Sequence, residues 1–557
     1  MQRSWEFRQN RRLWPYPQAR NQGSESISRP AMLPSLTDDM SSIPARPSLA
    51  STATRNTENT GETAPFCAPE LEQISQKARA GAGWSLGSLI GRQLISLAAT
   101  AILARVLSAA DYGLFGMVVA ITALIQSFTD FGLSWATVQR KDITRTQVDF
   151  LFLINVVSGL LLWFTCALSG KFLVMFYHRS ELAGIAGLLG ASFFFSGCAA
   201  QPLALLRRQM RFKEITFYDQ WSTLAGAITG VTAALSGFGY WALVIQVVAQ
   251  QLVFALLLLL LGDYRPRLPR ESQGLASLLS FGGYMAGYSA INYFSRNLDN
   301  VLVGRFWGAE QLGYYSRAYF LMTLPTLLAS GMLTAVMIPA LSALQHDRGR
   351  MEAAFLRSVR WISLLGCPVA IGLAACASDF VRFIYGLKWM PVVPMLLWLC
   401  IAGAVQPVQA AVGWLYIVTG RGRAMFVVGL VASSLTVGAF FVGIRYGAVG
   451  VARAYAIANT CLALPVMLIG HRIAGMKLRR TLAEVVPLFA ASTVMAVCVV
   501  ITGVLCQSAD YRSRLLAEIT VGGVTYLLCV RLGIRGMWRE MIEQLLPGRP
   551  LVMEAKS

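Results

Sequence analysis

Charged side chains recur inside apolar stretches of this sequence. Arg92 lies in GSLIGRQLISL, Arg296 and Asp299 in SRNLDN, Arg317 in YYSRAYF and Arg453 in GVARAYA, while Asp130 sits in SFTDFGLS and Asp219 in FYDQWS. A guanidinium stays protonated and offers paired donors to an anion. A carboxylate within an apolar segment can take up and release a proton or a metal cation as its surroundings change. Each residue also has a plainer reading. Arg92, near the middle of its stretch, costs at least ~2.5 kcal/mol there, so it faces either a wet cavity or a structural partner such as a backbone carbonyl or Asp130. Arg296 and Asp299 are three residues apart, share one helix face and can pair with each other. Arg317 and Arg453, near helix starts, can instead snorkel to the interface. The three aspartates also suit helix ends and salt bridges.

The elements that position these residues follow from composition. Of 557 residues, 55% are hydrophobic and only 14% charged, against about 25% charged in soluble domains. With a mean hydropathy of +0.54, this is a polytopic membrane protein. Apolar runs of roughly 20 residues, the length that crosses a ~30 Å hydrocarbon core, recur about fourteen times between Gly83 and Val530. Backbone polar groups must be satisfied within each segment in lipid, so the fold is expected to be all-α. Alternate loops carry the Lys and Arg, among them Arg207, Arg208 and Arg211, then Arg348 and Arg350, then Arg479 and Arg480. Basic loops stay cytoplasmic, which places both termini there. The net charge of +20 then matches an anionic inner leaflet rather than nucleic acid. The cysteines fall mostly within spans and form no C-x-x-C, and the three histidines lie at loops. We therefore expect apolar packing from the cysteines, no metal site and no cofactor. The chain has no G-x-x-x-x-G-K-[ST], which argues against direct driving by ATP.

Residues 1–75 differ in kind. Ser, Thr, Pro, Asn and Arg dominate and no apolar period is present, so this segment reads as disordered, either as a cytoplasmic tail or as sequence upstream of a start at Met40. It lacks the apolar core of a cleaved signal peptide. Beyond it the sequence echoes itself. At an interval of 200, Gly83 matches Gly283, Gly87 matches Gly287, Arg105 matches Arg305, Ala109 matches Ala309 and Gly113 matches Gly313. KFLVMFY at 171–177 resembles DFVRFIY at 379–385, an interval of 208. Six spans fill the interval, an even number, so the copies are parallel rather than inverted. The expected organisation is an N-lobe at 76–263 and a C-lobe at 273–471, six helices each around a central cavity. Two further helices at 484–532 and a cytoplasmic tail at 533–557 complete it.

The segments LARVLSAADYGLFGM, GLSWATVQRKDIT, GFGYWALVIQ, RNLDNVLVGRFWGAEQLGYYSRAYFLMTLP and PALSALQHDRGRMEAAFLRSVR resemble the Wzx-type lipid-linked oligosaccharide flippases of the multidrug/oligosaccharidyl-lipid/polysaccharide exporter superfamily. The resemblance runs from about 75 to 470, and Ala109 departs from it where proline is expected. It implies a transporter, not an enzyme. The implied substrate is an undecaprenyl-pyrophosphate-linked oligosaccharide repeat unit, moved from the cytoplasmic to the periplasmic leaflet of the bacterial inner membrane for exopolysaccharide or lipopolysaccharide synthesis. Alternating access coupled to H+ or Na+ is implied too, with membrane lipids and the pathway's polymerase and export components as partners. On that reading Arg92, Arg296, Arg317 and Arg453 are candidates for the diphosphate. Tyr288, in the stripe Tyr284, Tyr288 and Tyr293, is a candidate for the sugar rings, with packing or interface belting as its alternative. Asp130, Asp219 and Asp299 are the ion-coupling candidates. Among competing readings, a multidrug exporter or a peptidoglycan-precursor exporter of the same superfamily remains open, though arginines inside spans favour an anionic lipid-linked substrate over cationic drugs. A membrane glycan polymerase or glycosyltransferase is disfavoured because the extracytoplasmic loops are too short to hold a folded catalytic unit.

Overall fold

The computed structural model describes Gly87, residues 91–126, Thr137, and residues 143–267 and 276–533; it leaves out the side chains at 123, 124, 126, 276–296, 328–332, 335 and 336. Asp130 and the two tails lie outside these residues, and Arg296 and Tyr288 are placed by backbone alone.

The described chain is helical, as the internal satisfaction of backbone groups in lipid requires. Helix α1 covers residues 91–106. It is followed by α2 (Ala109–Gln126), α3 (Arg145–Tyr177), α4 (Glu181–Arg208), α5 (Phe212–Leu235) and α6 (Trp241–Leu261). Next is α7 (Ala276–Ala343), interrupted at Gly308, where φ 82° and ψ −179° are reachable without strain only because no Cβ is present. Then come α8 (Arg348–Ala375), the short α9 (Ala377–Ile384), a 3-10 turn (Leu387–Trp389), α10 (Val392–Val418), α11 (Gly422–Gly443), α12 (Gly447–Ala474), α13 (Leu478–Leu505) and α14 (Tyr511–Gly533). By length and composition, eight of the described helices can cross a membrane, with 422–474 taken as one. The expected count of about fourteen rests partly on residues outside the description. Two helices meet at Gly308, within the segment Arg305 to Glu310, and form the two legs of α7.

Local chemistry explains the helix ends. Thr144 caps α3 by accepting the Gln147 N–H, while the Gln147 side chain accepts the Thr144 N–H. Ser108 and Asp111 do the same for α2: the Ser108 N–H donates to Asp111 Oδ2 at 2.9 Å, and the Asp111 N–H donates to Ser108 Oγ at 3.2 Å. Asp347 accepts the Arg350 N–H at the start of α8. Helices α3 and α4 approach closely because glycines face backbone: a Cβ on Gly159 would lie 2.6 Å from the Phe193 carbonyl oxygen.

The buried core is divided. The largest cluster joins both halves of the chain, with Leu103, Tyr112, Met117 and Leu173 from one and Leu312, Tyr315, Tyr385 and Trp389 from the other. At the end that carries the basic loops the clusters are separate. Ile143, Val148 and Tyr264 belong to a core of the first half alone, while Leu341, Phe355, Val412 and Met467 belong to a core of the second half alone. Among the described residues, apolar packing fuses the halves at one end only. Helices α13 and α14 pack beside α8 through Leu488, Met495 and Tyr526 against Leu364.

Candidate functional site

The fused end is where the interval of 200 acquires a physical meaning. Gly113, on α2, faces Ala309 on the second leg of α7, and a Cβ at Gly113 would overlap the Ala309 carbonyl oxygen outright. Gly313 faces Ala109 in the same way, and its Cβ would overlap the Ala109 carbonyl oxygen. The residue pairs that match in sequence thus meet crosswise, each glycine against the other copy's alanine. Two helix backbones touch along this seam because neither glycine carries a side chain.

Polar contacts tie the seam's rim. The last turn of α1 leaves carbonyls without helical partners, and the second half supplies donors to them. Trp389 Nε1–H donates to the Ala104 oxygen at 2.7 Å, and Lys388 Nζ donates to the Arg105 and Leu107 oxygens at 2.9 and 2.6 Å. Burial pulls the Lys388 ammonium below its usual range, and the charge of Asp111 acts the other way. Arg105 returns the contact by donating to the Phe383 oxygen at 2.6 Å. Its counterpart Arg305 lies 3.4 Å from His178 Nε2 and 5.6 Å from the centre of the Phe176 ring. Both arginines therefore reach across to the other half. Trp389 is fully buried, edge-on to Tyr112 and Tyr314 at 5.3 and 5.8 Å.

Arg317 lies one helical turn beyond Gly313 on the same face. Its guanidinium sits 4.5 Å from the centre of the Tyr112 ring and 5.5 Å from that of Phe320. Its Nε is buried without a hydrogen-bond partner, as are the hydroxyls of Tyr112 and Tyr385. Buried donors left without acceptors are costly, and a ligand or water that brings acceptors can satisfy them.

The other candidates separate. Arg92 Nη1 lies 3.4 Å from Asp219 Oδ1, with side-chain exposures of 55% and 20%. This joins an expected anion contact to an expected coupling carboxylate in a pair exposed enough to be weak. Asp299 is 1% exposed, accepts the Tyr315 hydroxyl at 2.7 Å and takes the Asn300 N–H at 2.8 Å. It therefore faces the second leg of α7, and the side-chain pairing proposed between Arg296 and Asp299 lies outside the described residues. Arg453 is exposed, 5.6 Å from the centre of the Tyr446 ring, and joins neither group. Of the amides, Gln406 donates to the Tyr455 hydroxyl at 2.6 Å and Gln409 to the Asn459 carbonyl at 3.2 Å, both bridging α10 and α12. Sequence reasoning missed Tyr112, Tyr315, Lys388 and Trp389. A signal for the last two was present in GLKWMP, which directly follows the repeated DFVRFIY.

Residues 102–394 match a family model described as polysaccharide biosynthesis protein. The chain is 27% identical over 405 residues to the lipopolysaccharide biosynthesis protein WzxC of Escherichia coli (strain K12), covering 71% of this chain and 82% of that one. It is 24% identical over 477 residues to the succinoglycan biosynthesis transport protein ExoT of Rhizobium meliloti (strain 1021), covering 84% and 95%. Among solved structures, the lipid II flippase MurJ in an inward closed conformation superposes with a TM-score of 0.67 at 15% identity, covering 82% of this chain and 99% of that one. That likeness is one of fold.

Proposed function

The chain belongs to the polysaccharide biosynthesis protein family, and from that premise we propose that it is a flippase for lipid-linked oligosaccharide repeat units. The observation that carries the reading is the divided core: the halves share packing at one end and hold separate cores at the other. Such a molecule can rock about its seam, exposing a route between the halves to one side and then the other. The basic loops mark the separated end as cytoplasmic, with both termini on that side of a bacterial inner membrane. The substrate fitting this arrangement is an undecaprenyl-pyrophosphate-linked oligosaccharide. Its diphosphate brings the acceptors that Arg317, Tyr112 and Tyr385 lack, and its lipid tail remains in the bilayer. No bond in the substrate need be made or broken. Pathway polymerase and export components are the proposed neighbours on the periplasmic side.

Arg92 is the proposed first contact, held by Asp219 until an anion displaces the carboxylate. Inside-out membrane vesicles supplied with labelled undecaprenyl-diphosphate oligosaccharide provide the test. Wild type should move the label inward, and Arg92→Ala at equal protein level should reduce the rate by about tenfold. A wild type that moves no lipid-linked sugar sinks the flippase reading, whereas an unimpaired Arg92→Ala removes only this contact.

Asp299 is the proposed coupling group. Asn at this position keeps the shape and can still accept the Tyr315 hydroxyl, but it cannot ionise. In the same vesicles, Asp299→Asn should retain slow transport and lose at least about tenfold of the acceleration given by an imposed proton or sodium gradient. Equal acceleration of mutant and wild type would exclude Asp299 from coupling.

A further inference from the structure

The repeat symmetry is broken at one place. In the first half, α3 runs unbroken to Tyr177, through the KFLVMFY segment. In the second half, the matching stretch is cut at Cys376, where φ −101° and ψ 19° end α8 and release α9 as a separate helix of eight residues. Helix α9 and the 3-10 turn after it carry much of the seam's rim: Phe383, which accepts from Arg105, and Lys388 and Trp389, which donate to the end of α1. A helix this short does not hold its place by its own propensity.

Besides the core that takes Val381 and Tyr385, part of what holds it comes from outside the repeat. At the start of α14, Arg514 makes a two-pronged ion pair with Asp379 in the first turn of α9. Asp379 is only 5% exposed, and bidentate pairing of this kind is both directional and stronger than a surface contact. One turn further along α9, the Arg382 guanidinium lies 4.4 Å from the centre of the Tyr511 ring, also on α14. The residue matching Asp379 at an interval of 208 is Lys171, exposed on the continuous α3, where no brace is needed. The extra pair of helices is thus attached where the second copy of the repeat is broken.

We infer that α13 and α14 form a brace for the gate, and that Asp379 and Arg514 are positioning residues that set how firmly the α9 turn grips the end of α1. This rests on the proposed rocking about the seam. A loosened brace shifts the equilibrium toward the state in which the rim is parted.

The test is cross-linking across the rim in the full chain, with all ten native cysteines replaced. Val106→Cys and Leu387→Cys, both exposed and on opposite sides of the rim, are joined by a short bifunctional thiol reagent. Adding Arg514→Ala should lower the cross-linked fraction by about threefold, and Asp379→Asn, which keeps its size, should do the same. Arg360→Ala is the control. It breaks the Arg360–Glu484 pair, at 2.8 Å for both contacts, which also fastens α13 to α8 but far from α9, and it should leave cross-linking unchanged. Unchanged cross-linking in Arg514→Ala and Asp379→Asn overturns the brace, as does an equal fall in Arg360→Ala, which would mean general loosening of the hairpin. Cross-linking is read without transport, so failure of the brace and failure of the flippase reading are separate results.

Discussion

Gly113→Ala is expected to reduce lipid-linked sugar translocation by about 100-fold or more while the protein still accumulates in the membrane. One methyl group has this effect because it would meet the Ala309 carbonyl, not a flexible side chain. The Ala309 carbonyl is fixed by the helical turn that opens the second leg of α7 and cannot turn aside as a side chain can, so α2 and that leg must separate. The fold survives because each half keeps a core of its own, but the seam no longer closes and the proposed alternating cycle stops. Gly313→Ala should act identically through the Ala109 carbonyl. The double variant should be no worse than either single one, because a seam already parted cannot be parted again. Gly187→Ala on α4 and Gly413→Ala on α10, where a Cβ meets nothing within 4 Å, should transport normally. Vesicle translocation of the five variants at matched protein level checks this, and wild-type transport by Gly113→Ala would mean that the seam does not need to close.

The pairs Ala109 and Ala309, and Gly113 and Gly313, are visible in sequence as a repeat. A repeat says that two segments adopt the same conformation, not that they touch, and only packing puts Gly113 against Ala309. Helix positions were legible for the same reason that lipid makes them necessary: apolar runs of about 20 residues become α6 at Trp241–Leu261 and α10 at Val392–Val418. Helices α3 and α8 begin ahead of their apolar runs because caps at Thr144 and Asp347 start each helix outside the hydrocarbon. Helix spacing shows which residues share a face with Asp299, but its donor Tyr315 stands 16 residues away on the other leg of α7. That pairing depends on where Gly308 folds the chain. Arg92 and Asp219 are 127 residues apart, and no local rule connects them. The brace was legible in pieces only. Asp379 and Arg382 are present in DFVRFIY and Arg514 in the last helix, yet nothing in the order of residues says that these helices meet.

Arg317→Ala should reduce translocation by about 100-fold, and the same change should leave the thermal stability of the purified protein unaltered or slightly raised. The second outcome separates a binding role from a structural one. An arginine that holds a fold together has acceptors, and its loss leaves them stranded. Arg317 has a buried Nε with no partner and lies over Tyr112 and Phe320, so its removal relieves an unmet donor while giving up ring contacts worth about 0.5–1 kcal/mol each at exposed sites. Arg317→Lys should recover little transport, because an ammonium cannot lie flat on Tyr112 while presenting paired donors to a diphosphate. Tyr112→Phe keeps the ring beneath the guanidinium and removes one unmet hydroxyl, so it should slow transport by less than about tenfold. The order Ala and Lys far below Phe, with melting temperatures unchanged, is what a ligand-supplied acceptor requires. Parallel loss of melting temperature and transport in Arg317→Ala would instead make the residue part of the scaffold, and the diphosphate would have to be bound elsewhere between the halves.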